Sequence, residues 1–242
     1  MASESTPTPD HGQESCDRVK TWEAMWEQGY TPFHVPNVNK MLQKYISKLN
    51  PDGNLKKIFV PLCGKSVDMK WLADQGFVTV GVEGVQQALD QFFLENGLDK
   101  TETNVTGMGP AGKLIQSKDG MIKLYCGDMM LFSTAFEGTF DAIWDRGSLV
   151  ALNREDVPGY VKILKDLMHK STHILVEVLQ YDLQVMADLD ESQRPPPPHS
   201  MSGHQMKELF EPQCNVEEID RYASKILGGK DINFVYYLIT KT

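Results

Sequence analysis

From residue 57 to residue 179, short apolar runs alternate with segments whose apolar residues recur at helical spacing. Strands are expected at 57–61 (K-I-F-V-P), 77–82, 140–144 and 173–179 (H-I-L-V-E-V-L), with helices at 67–75, 86–96 and 155–169 between them. Residues 113–116 and 121–125 flank Ser117-Lys118-Asp119-Gly120, which reads as a hairpin whose second arm doubles as the third strand of the main sheet. Strands that alternate with helices predict a mostly parallel sheet covered on both faces, a doubly wound α/β fold. After a helix at 202–210, runs at 216–222 and 232–239 are joined by a short loop, so these two strands should pair antiparallel.

Before the first strand the pattern is helical. Trp22 and Trp26 stand four apart on one helical face, Gly29 ends that segment, and Phe33-His34 follow in a loop. Val38, Met41, Leu42, Tyr45, Ile46 and Leu49 then mark an amphipathic helix over 36–49, closed by the turn Asn50-Pro51-Asp52-Gly53. Residues 1–17, rich in Ser, Thr, Pro and Glu, read as a disordered tail, and 18–242 as a single domain. Arg194-Pro195-Pro196-Pro197-Pro198 reads as a stiff surface loop.

Composition narrows the class. The 242 residues are 41% hydrophobic and 24% charged, as in an ordinary soluble domain. A net charge of −9 argues against a surface built for nucleic-acid phosphates and suits a soluble monomer. The four cysteines, Cys16, Cys63, Cys126 and Cys214, lie far apart with no C-x-x-C pair; that excludes zinc-type spacing and suits a reducing, cytoplasmic compartment. Neither a secretory signal nor a membrane-length apolar run is present.

The opening βαβ unit carries the chemistry. Its loop, Pro61-Leu62-Cys63-Gly64-Lys65-Ser66, lacks the earlier glycine of a nucleotide-triphosphate loop, since Phe59 stands there, and it lacks two of the three glycines of a dinucleotide loop. Nothing in it can wrap phosphates, but it tolerates a nucleoside with an amino-acid tail, which is S-adenosylmethionine. Glu83, 19 residues past Gly64 at the end of the second strand, is placed to accept from ribose hydroxyls. A lone loop carboxylate is the bland alternative, and its position after an apolar strand weighs against that. Asp128 is placed for the adenine amine with Met129 on the ring face, although Gly127-Asp128 is also an ordinary turn. Arg146, after the fourth strand, can hold the cofactor's carboxylate or an anionic substrate, or form a structural pair with Asp145. Ser148 follows a glycine without the G-x-S-x-G elbow of a hydrolase. Trp22, Trp26 and Phe33 read either as packing or as an aromatic cover suited to a sulfonium. His34 and His204 have no metal or triad spacing.

W-x3-W-x2-G-x3-F-H, then F-x-P-L-C-G-K-S-x-D-M-x-W-L-A-D-x-G, then V-G-V-E, then F-D-A-I-W-D-R-G-S-L-V-A-L, resemble the thiopurine S-methyltransferase family over about residues 20–242. The resemblance implies a Rossmann-like class I methyltransferase fold, with a seven-strand sheet whose last-strand hairpin is antiparallel. It implies S-adenosylmethionine as donor, S-adenosylhomocysteine as product and a small-molecule thiol as acceptor. Family members contact the cofactor at positions matching Trp22, Leu62, Glu83, Arg146, Asp128 and Met129, and Phe33 matches a residue touching cofactor and substrate. A second basic residue is expected before the final strand, where Arg221 and Lys225 stand. An activated sulfonium and an ionised aromatic thiol need positioning more than a strong base. Asp145 is the nearest base, and Arg146 can stabilise the anionic acceptor. Methylation of sulfide, selenium or tellurium species or halides, a non-catalytic S-adenosylmethionine-binding protein, and a nicotinamide oxidoreductase are the competing readings.

Overall fold

The computed structural model describes residues 11–182, 198–226 and 230–242. The first ten residues of the expected tail and the polyproline path at 194–197 lie outside the described residues. The helices are α1 (His11–Glu27), α2 (Lys40–Leu49), α3 (Val67–Asp74), α4 (Gln86–Glu95), α5 (Thr134–Glu137), α6 (Val157–Asp166) and α7 (Gly203–Phe210). The strands are β1 (Lys57–Val60), β2 (Val78–Glu83), β3 (Lys100–Asn104), β4 (Lys113–Ser117), β5 (Ile122–Cys126), β6 (Phe140–Arg146), β7 (Met168–Gln180), β8 (Cys214–Ile226) and β9 (Lys230–Lys241).

The described strands form one sheet in the order β3-β4-β5-β2-β1-β6-β7-β9-β8. The five central strands, β5 to β7, run parallel, as their apolar runs require of strands covered on both sides. β5 is both the second arm of the expected hairpin with β4 and the third parallel strand, and β9 lies antiparallel between β7 and β8.

Seven strands were expected and nine are found among the described residues: β4, the first arm of the hairpin, joins the sheet, and β3 was not anticipated. K-T-E-T-N has no apolar residue, so periodicity misses it. It pairs with β4 through its main chain at the sheet edge, where charges discourage further strand addition. α1 starts at His11, inside the segment expected to be disordered, because extending a helix already anchored at Trp22 and Trp26 is far easier than nucleating one. α2 starts at Lys40 rather than 36, since the Asn39 side chain accepts from the main-chain N–H groups of Met41 and Leu42 and caps it there.

Alternation along the strands separates two cores. Ile58 and Val60 pack with Leu42, Met69, Leu72 and Phe92 from α2, α3 and α4, while Phe59 packs with Tyr160, Leu164 and Phe210 from α6 and α7. Chain order reverses at β1, with β2 on one side and β6 on the other, so the crevice for a ligand opens at the C-terminal ends of these strands.

Candidate active site

The loop after β1 is held in an uncommon backbone shape. Leu62 has φ +41° and Gly64 φ +52°, the first a left-handed conformation that a branched side chain rarely adopts. Hydrogen bonds on both sides maintain it. Cys63 N–H donates to Val82 O at 2.9 Å, and Ser148 Oγ–H donates to Pro61 O at 2.8 Å. Ser66 then caps α3 by accepting from Asp68 N–H.

Glu83 closes the next strand against this loop. One carboxylate oxygen accepts from Gly64 N–H and the other from Val85 N–H, both at 2.9 Å. Burial raises its pKa, and the amides of Val85, Gly64 and Gly84 pull the other way. Gly127 N–H donates to Glu83 O at 2.9 Å, bringing the end of β5 beside it. Asp128 there is nearly buried and caps a short turn (Met129–Leu131) by accepting from Met130 N–H. Met129 forms part of the core beneath.

α1 lies over these strand ends. The Trp26 ring is 3.6 Å from where a Cβ on Gly64 would stand, and Val19 is 3.0 Å from the corresponding point on Gly84. Phe33 meets Trp22 and Trp26 edge-on, with centroids 5.5 and 5.8 Å away. The expected cofactor contacts Trp22, Phe33, Leu62, Gly64, Glu83, Asp128 and Met129 therefore cluster around one crevice.

Asp145 and Arg146 part company there. They are strand neighbours, so their side chains leave opposite faces of β6. Asp145 is wholly buried and accepts from Tyr160 O–H at 2.7 Å and from the amides of Ser148 and Leu149. It holds the turn after β6, and burial pushes its carboxyl up to about 6. Arg146 instead pairs with Glu177, its Nε 3.4 Å from Oε1, and donates from Nη1 to Phe33 O at 2.9 Å.

Glu177 was not anticipated, nor were Asn39, Asp68 and Tyr236. Asp68 accepts from Trp144 Nε1–H and from Asn39 N–H, Asn39 Nδ2–H donates to Glu177 Oε2 at 2.8 Å, and Tyr236 O–H donates to that same oxygen. A glutamate inside the apolar run H-I-L-V-E-V-L was the available signal, because a buried strand carboxylate needs partners. Arg221 and Lys225 do not join this group. The register of β8 turns both to the opposite face, where Arg221 binds Glu218 and Gln180 and Lys225 lies 3.5 Å from Asp231. Tyr222 occupies the site face instead, stacked on Phe234 and Tyr236. A concavity of about 610 Å³ lined by Phe132, Lys165 and Lys241 lies at the other end of the sheet.

The thiopurine S-methyltransferase family model matches residues 18–230, from within α1 to the start of β9. The chain belongs to the thiopurine S-methyltransferase family. A probable thiopurine S-methyltransferase from Danio rerio is 36% identical over 236 residues, covering 94% of this chain and 98% of that protein. The Equus caballus thiopurine S-methyltransferase is 36% identical over 203 residues, covering 84% and 79%. Among solved structures, the 1,6-didemethyltoxoflavin-N1-methyltransferase of Burkholderia thailandensis, with bound 1,6-didemethyltoxoflavin and S-adenosylhomocysteine, superposes with TM-score 0.63 at 12% identity, over 99% of this chain and 93% of that one. TehB from Haemophilus influenzae gives 0.58 at 13% identity, over 91% and 67%. The fold is thus the Rossmann-like class I methyltransferase fold, and the family's methyl donor is S-adenosylmethionine. The crevice fits that cofactor. The Glu83 carboxylate accepts from main-chain N–H groups of Gly64, Gly84 and Val85 and, with about four acceptor positions, still has room for a ribose hydroxyl, and the loop at Gly64 carries no phosphate cradle. Among the described residues no cluster of His, Cys, Asp and Glu is suited to a metal, and no helix is long and apolar enough to cross a membrane.

Proposed function

We propose that this protein methylates the sulfur of small aromatic or heterocyclic thiols of the thiopurine type. The observation that carries the reading is Arg146. Its guanidinium is hydrogen-bonded to Phe33 O and ion-paired with Glu177, its side chain stays 26% exposed, and its Nη2 has no hydrogen-bonding partner among the described residues. It offers a fixed cation to an anionic acceptor at the mouth of the cofactor crevice.

S-adenosylmethionine, when bound, supplies an electrophilic methyl group on a sulfonium. The chain's residues bind and orient. Glu83 takes the ribose hydroxyls, Asp128 the adenine amine, and Met129 and Leu62 wall the base. Trp22 and Phe33 present aromatic faces to positive charge and, with Trp26, exclude water. Arg146 holds the acceptor as its thiolate, so the proton has left before attack and no general base is needed. Asp145 acts on the turn that aims Arg146. The buried free thiols of Cys63, Cys126 and Cys214 support a reducing cytoplasm, and the acidic net charge supports a soluble monomer.

The test is a panel of aromatic thiols, thiopurines, sulfide, selenide and halides with purified protein and S-adenosylmethionine. Methyl thioethers from the aromatic thiols and thiopurines are expected. Turnover confined to the inorganic acceptors, or none at all, refutes the reading.

A further inference from the structure

Five residues around the crevice, Trp144, Asp68, Asn39, Glu177 and Arg146, form a chain of polar contacts that links the N-terminal cover to the sheet. Trp144 donates to Asp68 at 2.9 Å, and Asn39 N–H donates to Asp68 at 2.8 Å. The Asn39 amide reaches Glu177, and Glu177 returns to β6 through Arg146, two residues from Trp144 on the same strand face. Asn39 also caps α2, so every polar group of its side chain is engaged. Glu177 is the hub. It is 5% exposed and directly opposite both Arg146 on β6 and Tyr236 on β9. Its Oε2 takes Asn39 and Tyr236, and its Oε1 faces Arg146.

A buried carboxylate in an otherwise apolar strand is costly unless paired, and a packed apolar residue does the purely structural job as well or better. What an apolar residue cannot do is fix the rotation of a guanidinium. With Nε in an ion pair with Glu177 at 3.4 Å and Nη1 hydrogen-bonded to Phe33 O, the guanidinium of Arg146 is held from two sides and Nη2 is left to meet a ligand. From this we infer that Glu177 is a positioning residue for the acceptor: it orients Arg146 so that Nη2 meets the thiolate, and it makes that orientation depend on the docking of residues 33–39. The inference rests on the thiol-methyltransferase reading above.

The decisive variants are Glu177→Gln, Glu177→Asp and Tyr236→Phe. Glutamine keeps the shape but, with its oxygen toward Tyr236 and Asn39, turns an amide donor against the Arg146 Nε–H. The acceptor KM should rise about tenfold while the KM for S-adenosylmethionine stays within about twofold, since only the acceptor contact loses its aim. Aspartate, which retains the charge, should recover part of the loss. Tyr236→Phe removes one of the groups that hold Glu177 and should raise the acceptor KM about threefold; it decides the matter if Glu177→Gln no longer binds S-adenosylhomocysteine. An unchanged acceptor KM in the variants that bind S-adenosylhomocysteine, or an equal rise in both KM values, overturns the inference while wild-type activity leaves the proposed function standing. A wild type inactive on every thiol overturns both.

Discussion

Asp145 shows how one residue's surroundings set its work. The carboxyl has no exposed surface, and burial lifts it from 3.8 to about 6 despite the hydrogen bonds from Tyr160, Leu149 and Ser148. The folded protein therefore binds this proton more tightly than the unfolded chain. The stability it lends is complete below pH about 4 and is lost as pH rises through about 6, an amount on the order of 3 kcal/mol. Asp145→Asn, which cannot ionise, should escape that loss. Urea midpoints taken from pH 4 to 7.5 should show the variant gaining on the wild type across this window, and parallel curves would contradict the assignment. Asp145 and Arg146 were both readable as candidates from their place at a strand end. Their separation was not, because it depends on which face of β6 meets Tyr160 and which meets Glu177.

At the scale of elements, α1 docks through a small cluster of its own. Trp26, 3% exposed, packs with Val85 and Ala88 in a small cluster separate from the two main cores. Trp26→Ala removes the centre of that cluster, a change that costs about 3–5 kcal/mol where a large aromatic is buried. The loss should fall on the docking of α1 rather than on the sheet, so trypsin should cut at Arg18 and Lys20 about 100-fold faster while the main unfolding transition stays put. A lowered main transition with unchanged cleavage would mean that α1 and the sheet unfold together. The central strands were readable because K-I-F-V and its counterparts are buried on both sides and nothing else suits such runs. β3 was invisible because its residues face solvent and only its main chain is used. The start of α2 turned on one cap, Asn39, whose second role beside Glu177 arises only when β7 is in place.

For the whole molecule, the reversal of chain order at β1 gathers side chains that are far apart in sequence. Glu83 ends β2, Asp128 follows β5 and Arg146 ends β6, and all three stand at the same end of the parallel strands. Binding there should be felt throughout the sheet, because a ligand that binds only the folded state stabilises it by mass action. S-adenosylhomocysteine at 100 times its Kd should add about 2.7 kcal/mol, which for a chain of this size raises Tm by about 5–10 °C. Glu83→Ala removes the proposed ribose acceptor and the Gly64 and Val85 anchors together. If its Kd is about tenfold weaker, the same ligand concentration yields only about 1.4 kcal/mol. Nicotinamide dinucleotides should give no shift, because the loop at Gly64 has no second or third glycine to approach a pyrophosphate. Scanning calorimetry of both proteins with each ligand separates the cases. A Glu83→Ala protein stabilised as much as the wild type would remove the ribose assignment, and stabilisation by dinucleotide alone would turn the crevice over to a different cofactor.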